Sequence, residues 1–224
     1  MEKINLVIPA KEKLTDLHRI IKPLIKRQQI NKIILILHKK PEIKFIKHNK
    51  LKIIVQKEKG YGSAIKEGFK ISKAKFSCIF NADGSFNIND INKMIKKSKM
   101  NDFIFASRYL KGGGSDDDNF ITLIGNYIFS LMGRVLLNIN LSDILYTYVL
   151  CNTKKFNSLK IKNKDFRFCI ELPFNVEKNK YLYTEIVSKE FKRKFGKKNV
   201  NEFKDGFLIL TEVMKCFIKN ILKI

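Results

Sequence analysis

The feature that most constrains the fold is a regular alternation in residues 1–107. Short, mainly apolar runs, each with a single polar residue, occur at residues 4–9, 32–37, 51–55, 76–80 and 102–106. Each is the length of a strand, and none alternates polar with apolar, so both faces of such a strand must be covered. Between them lie segments with helical spacing. Residues 14–30 carry Leu14, Leu17, Ile20, Ile21, Leu24 and Ile25, residues 62–73 carry Ala64, Ile65, Phe69 and Ile71, and residues 88–97 form a third such segment. Strand, crossover helix, strand is the signature of a parallel sheet with helices on both faces. In such a sheet ligands bind at the carboxyl ends of the strands. The loops after Pro9, Leu37, Val55, Phe80 and Ser107 are therefore the places to look for chemistry.

The second half has a different texture. Residues 111–118 are glycine-rich and then acidic, a composition that suits a mobile loop. A very apolar helix is predicted over residues 120–138. A short strand follows at 143–150, a short helix at 166–177 and an alternating strand at 185–193. Residues 203–224 read as an amphipathic helix with Lys215, Lys219 and Lys223 on its polar side. There is no internal repeat and no linker composition. The chain of 224 residues reads as one domain, 1–224, with a nucleotide-binding half at 1–107 and an acceptor-binding half at 108–224.

Charge narrows the partners. Lys and Arg total 45 against 21 acidic residues, a net of +24, which attracts phosphates and anionic surfaces. The lysines are scattered, only six residues are arginine, and no recognition motif for nucleic acid is present, so no nucleic-acid partner is expected. Biased composition accounts for the excess of Lys equally well. Cys78, Cys151, Cys169 and Cys216 lack metal-ligand spacing and read as reduced core thiols of a cytoplasmic protein. His18, His38 and His48 form no cluster. The start of the chain enters a strand at once, without the pattern of a signal peptide. Arg134 interrupts the apolar stretch at 120–139 and leaves too short a run to span a bilayer, so a buried or interfacial helix is expected.

Three motifs fall in order on strand ends. Gly60-Tyr61-Gly62-Ser63-Ala64 joins a strand to a helix, which suits either a phosphate at the helix N-terminus or simply a tight turn. Asn81-Ala82-Asp83-Gly84-Ser85 sets two oxygen-bearing side chains at i and i+2, which suits a hard cation or an Asx turn. Ser107-Arg108-Tyr109, followed by Gly112-Gly113-Gly114, sets a guanidinium at another strand end, either for a phosphate or as a surface residue.

Together with Val7-Ile8-Pro9-Ala10, Gly68, Asn126, Arg134, Asp143, Glu185, Arg193 and Gly196, these motifs resemble family 2 glycosyltransferases of the GT-A fold. Within that family they are most similar to polyprenol-phosphate sugar transferases of the dolichol-phosphate mannose synthase type. The resemblance runs from residue 4 to about residue 198 and implies an α/β, GT-A fold with a mostly parallel central sheet. It implies a metal site, Mg²⁺ or Mn²⁺, at Asn81, Asp83 and Ser85. It places Pro9, Ala10, Glu12, Gly60, Gly62, Asp83, Arg134, Arg193 and Lys198 at the donor or at phosphate groups, and Asp143 and Arg108 at the reacting centre.

The implied activity moves a sugar from a nucleotide sugar to a polyprenyl phosphate. Such an acceptor is already anionic near neutral pH and needs positioning rather than a strong base. A glycan hydroxyl is the alternative acceptor, with Asp143 as base. A third reading, from another class, is a non-catalytic protein of this fold that binds an anionic partner. The departures from the family pattern lie on the donor side. Leu37-His38-Lys39-Lys40-Pro41 stands where paired aspartates are usual, Asn81 stands for the first aspartate of the triplet, and Thr147-Tyr148-Val149 for a glycine-phenylalanine-arginine segment. Peripheral contact with the inner face of an anionic membrane is expected through helices 120–138 and 203–224, unless both are core helices.

Overall fold

A computed structural model describes residues 2–11, 14–40, 46–196 and 202–222. The alternation in the first half becomes β1 (Ile4–Ala10), α1 (Leu14–Ile25), β2 (Ile30–Leu37), β3 (Leu51–Val55), α2 (Tyr61–Ile71), β4 (Phe76–Ile79), α3 (Asp90–Lys97) and β5 (Phe103–Ser107). The second half adds β6 (Gly114–Ser115), α4 (Phe120–Leu137), β7 (Val149–Asn152), α5 (Thr153–Ser158), α6 (Phe168–Lys178), β8 (Tyr183–Val187), β9 (Lys189–Glu190) and α7 (Glu202–Ile221).

Seven strands form one sheet in the order β3-β2-β1-β4-β7-β5-β8. All pairings are parallel except those of β7, which runs antiparallel between β4 and β5. The apolar runs of β1, β2, β4 and β5 follow from burial on two sides, whereas β3, at the sheet edge, is partly exposed. Leu6 and Ile8 face a core shared with Leu17 and Ile21 of α1 and Ile91 and Met94 of α3. Val7 and Ile36 face the other core, with Ile65 and Phe69 of α2, Phe168 of α6 and Val213 of α7. Gly68 lets α2 lie directly on β1, since a Cβ there would come 2.4 Å from Val7 Cγ1.

Four expectations change. The first helix ends at Ile25, because Pro23 lacks the N–H for the last turn and Ile30 already pairs with Ile4. In 143–150 only the end joins the sheet, from Val149 onward, while residues 143–148 cross beneath the cavity described below. The alternating stretch at 185–193 divides into β8 and β9. The glycine-rich acidic loop is not loose: β6 pairs with β9, and Asp116 N donates to Glu190 O at 2.9 Å. The four cysteines are buried and unpaired, and burial pushes their thiols up, Cys216 to about 12.

Candidate functional site: a cavity at the carboxyl ends of the strands

A cavity of about 520 Å³ opens where a parallel sheet puts its ligands, at the carboxyl ends of β1, β3, β4 and β5. It has three zones. Pro9, Ala10, Gln56, Gly60, Tyr61, Asn81 and Asp83 line one end. Arg108, Asp117, Asp118, Glu190 and Arg193 line the middle. The other end runs between α4 and α7, past Ile121, Gly125, Phe129, Gly206 and Ile209.

The loop after β4 holds a preset carboxylate. Asp83 is almost buried, and its Oδ1 accepts from Ser85 N at 3.0 Å and Ser85 Oγ at 2.8 Å. The loop is stitched to the segment after β9: Lys194 N and Phe195 N donate to Asp83 O, and Phe191 N donates to Ser85 O. Asp83 Oδ2 lies 3.9 Å from Arg193 Nη1. The Asn81 Oδ1 stands 3.1 Å from the Tyr61 hydroxyl, which is 2.7 Å from Thr147 Oγ1.

Among the described residues no three His, Cys, Asp or Glu side chains gather as a metal cage. That does not exclude Mg²⁺ or Mn²⁺ chemistry, because such ions commonly take one or two carboxylates and complete their shell with substrate phosphate and water. Asp83 Oδ2 fits that role, and Asn81, which lines the same cavity, offers a neutral oxygen that also accepts from the Tyr61 hydroxyl. Ser85 does not face the cavity; its hydroxyl orients Asp83.

The middle zone is an ion cluster around one guanidinium. Arg108 Nε and Nη2 donate to Asp143 Oδ2 and Oδ1 at 2.7 and 3.0 Å, and the Arg108 main-chain N donates to Oδ2 at 3.2 Å. Nη1 donates to Glu190 Oε2 at 3.0 Å and lies 3.4 Å from Asp118 Oδ2. Arg108 is 7% exposed and Asp143 0%. Burial alone would lower the Arg108 pKa; Asp143 and Glu190 outweigh it and hold the guanidinium firmly charged. Burial pushes the Glu190 carboxyl up, against the pull of Arg108. Tyr146 lies under the guanidinium at 4.7 Å from its ring centroid. Arg193 is the second cation, with Nη2 2.8 Å from Asp117 Oδ2.

The sequence-predicted residues are thus unevenly placed. Pro9, Ala10, Gly60, Asn81, Asp83, Arg108 and Arg193 line the cavity together. Asp143 lies beneath Arg108 as its anchor, with both oxygens occupied. Arg134 is away from the cavity, where its Nη1 donates to Leu141 O at 3.1 Å. Gly62 is a packing glycine: a Cβ there would meet Asn163 O at 2.7 Å, and the next amide, Ser63 N, donates to Lys164 O rather than to open space. Gly60 has φ +120° and would place a Cβ 2.1 Å from Lys164 O. The glycine motif is therefore a tight turn against residues 163–165. Glu12, Pro41 and Lys198 lie outside the described residues. Sequence reasoning missed Tyr61, Asp117, Asp118, Tyr146 and Glu190. The three acidic side chains sat in segments read as a loose loop and an alternating strand, and the partners that reveal them are 10 to 82 positions away.

The model of the family described as "Glycosyl transferase family 2" matches residues 6–160. No curated protein sequence matches the chain. Among solved structures, glucosyl-3-phosphoglycerate synthase from Mycobacterium tuberculosis in complex with Mn²⁺, UDP and phosphoglyceric acid superposes with a TM-score of 0.69 at 8% identity, over 96% of this chain and 78% of that one. The complex of the same enzyme with Mn²⁺, UDP-glucose and phosphoglyceric acid gives 0.67 at 10% identity, over 96% and 80%. A further structure, described as a mycobacterial protein, gives 0.68 at 9% over 96% and 74%. At such identity the likeness establishes a shared fold, the GT-A architecture of a mixed sheet with helices on both faces. The family match covers more than half of the chain and includes the β4 loop and Arg108, and by it the chain belongs to glycosyl transferase family 2.

Proposed function

We propose that this glycosyltransferase moves a sugar from a nucleotide sugar to the phosphate of a polyprenyl chain, at the cytoplasmic face of a membrane. In the transfer, the bond from the sugar C1 to the donor diphosphate breaks and the nucleoside diphosphate leaves with the electron pair. A phosphate oxygen of the acceptor forms the new bond to C1. No proton need be removed from an acceptor that is already a dianion.

The observation that carries the reading is the commitment of Asp143. It is the base a hydroxyl acceptor would call on, yet it is fully buried and both its oxygens accept from Arg108. With that carboxylate committed, the site does not offer Asp143 to take a proton from a hydroxyl, which favours an acceptor from which no proton need be removed. The shape of the cavity supports the hydrocarbon: beyond the ions it continues between α4 and α7 along Ile121, Phe129 and Ile209.

At the donor end, Asp83 and Asn81 would hold Mg²⁺ or Mn²⁺, which supplies charge neutralisation for the departing diphosphate. Ser85 keeps the Asp83 carboxylate turned towards the cavity. Arg193, 3.9 Å from Asp83, is placed to meet phosphate oxygens by exchanging its partner Asp117 for them. Gln56, at the end of β3, occupies the side of the cavity where the nucleotide base lies in this reading.

A second reading takes a small phosphorylated acceptor. It is supported by the solved structures of similar fold, which contain phosphoglyceric acid. Incubation with radiolabelled UDP- and GDP-sugars and Mn²⁺, with undecaprenyl phosphate in one arm and 3-phosphoglycerate in the other, separates the two. The lipid reading expects label in the organic phase. Label in the aqueous acceptor alone, or in neither, overturns it.

A further inference from the structure

We propose that α4 and α7 together form a flat docking surface for an anionic lipid bilayer, with α4 carrying a second apolar face on its outer side for this purpose. A surface helix usually turns its apolar stripe to the core. In α4, Phe120, Ile124, Tyr127, Leu131 and Val135 recur at one-turn spacing and all face outward; Val135 is 67% exposed. The polar residues point inward, beside Phe129, Met132, Leu136 and Leu137, which pack on the core. Asn126 Nδ2 donates to Tyr109 Oη at 2.9 Å, Ser130 Oγ accepts from Ile144 N at 3.3 Å, and Arg134 binds Leu141 O. Gly133 closes the contact, since a Cβ there would come 2.9 Å from Ile144 Cδ1.

α7 continues the same surface. Its inner stripe, Ile209, Val213 and Cys216, enters the core. A second stripe, Phe203, Phe207, Leu210, Met214 and Ile218, faces out, with Phe203 81% exposed. The two helices are tied side by side: Asn119 Nδ2 donates to Glu202 Oε1 at 2.9 Å near one end, and Asn220 Nδ2 to Leu136 O at 3.5 Å near the other. At 18 and 20 residues they are about 27 and 30 Å long, which makes a larger apolar patch than a soluble monomer ordinarily leaves bare.

Charge selects the occupant. Among the exposed residues of α4 and α7 none is acidic, and the charged ones are Lys204 and Lys215. α7's acids turn elsewhere: Glu202 and Asp205 line the cavity, and Glu212 is buried. A second copy of the chain would bring another net +24 against this one. An apolar face set with lysines and free of acids matches the interface of an anionic leaflet. Contrary to the expectation set by Arg134, α4 is long and apolar enough to cross a membrane by length and composition, yet it is fastened along its length to the domain and so lies flat. Docking rests on this surface alone and not on the acceptor reading. It would bring the end of the cavity at Ile121 and Gly206 to the lipid.

The chain contains no Trp, so one introduced indole reports without background. Leu131→Trp and Phe207→Trp place it on the proposed face. Met100→Trp places it in the exposed turn before β5, at the opposite ends of the strands. Phosphatidylglycerol–phosphatidylcholine vesicles are added without sugar donor or acceptor, so failure of docking and failure of transfer are read separately. The expected result is a blue shift, and quenching by acyl chains brominated near the headgroup, for Leu131→Trp and Phe207→Trp and not for Met100→Trp. Binding should weaken at least about tenfold on pure phosphatidylcholine or with Ile124→Glu, the scale of one lost apolar contact. Both face reporters unshifted by vesicles would overturn the proposal. So would a blue shift without lipid that tracks a monomer–dimer equilibrium in sedimentation, which would assign the face to a second copy.

Discussion

Replacing Asp143 with Asn tests the assignment of that residue directly. The carboxylate receives Arg108 Nε and Nη2 at 2.7 and 3.0 Å and the Arg108 main-chain amide at 3.2 Å, all in a fully buried position. Asparagine keeps the shape but offers one oxygen, and its NH₂ then faces N–H donors. Breaking a buried ion pair costs about 3–5 kcal/mol. Glu190 and Asp118 still face the guanidinium at 3.0 and 3.4 Å, so the lower end, about 3 kcal/mol, applies. For a chain of this size each kcal/mol moves the melting point by about 2–4 °C. Asp143→Asn should therefore melt roughly 6–12 °C below the parent in thermal denaturation followed by circular dichroism. A variant melting within about 2 °C of the parent, yet slower in transfer by the roughly 10²–10⁴ of a lost general base, would refute the anchoring role and make Asp143 the base.

Asp83→Asn should weaken Mn²⁺-dependent binding of a nucleoside diphosphate at least about tenfold in calorimetry, because it removes the carboxylate that the β4 loop sets towards the donor end; unchanged affinity would remove the metal from this loop. Gly60→Ala should destabilise by about 1–3 kcal/mol in urea titration, since φ is +120° and the new Cβ would meet Lys164 O. Gly206→Leu has open space for its side chain and should raise the KM for a lipid acceptor several-fold without changing donor affinity; equal effects on both would contradict the path between α4 and α7. Tyr183, pushed up to about 12 chiefly by burial with its hydroxyl donating to Glu177, gives a pH test. The unfolded phenol ionises near its ordinary 10 and the folded one later, so its contribution is complete below pH 10 and lost as pH rises towards 12. The stability gap between the parent and Tyr183→Phe should close over that range, as followed by urea titration at each pH; a gap that stays constant refutes the assignment.

What the amino-acid sequence determined by itself was local in origin. The five mainly apolar runs and the helical segments between them specify a two-sided parallel sheet, because strand length and helical period are properties of neighbouring residues. The order of the strand-end motifs then located the cavity, and Asn81, Asp83, Arg108 and Arg193 do meet there. Tertiary structure decided how these residues are used. Arg108 and Asp143 are 35 positions apart, and nothing near either one shows that the cation is already taken. Gly60 and Gly62 suited a phosphate until Lys164 came to occupy the turn. α4 is the plainest case. Its period shows two faces but not which of them turns inward. That choice was made by Tyr109, Leu141 and Ile144, which satisfy the polar stripe from the domain side and leave Phe120, Ile124, Tyr127, Leu131 and Val135 facing out.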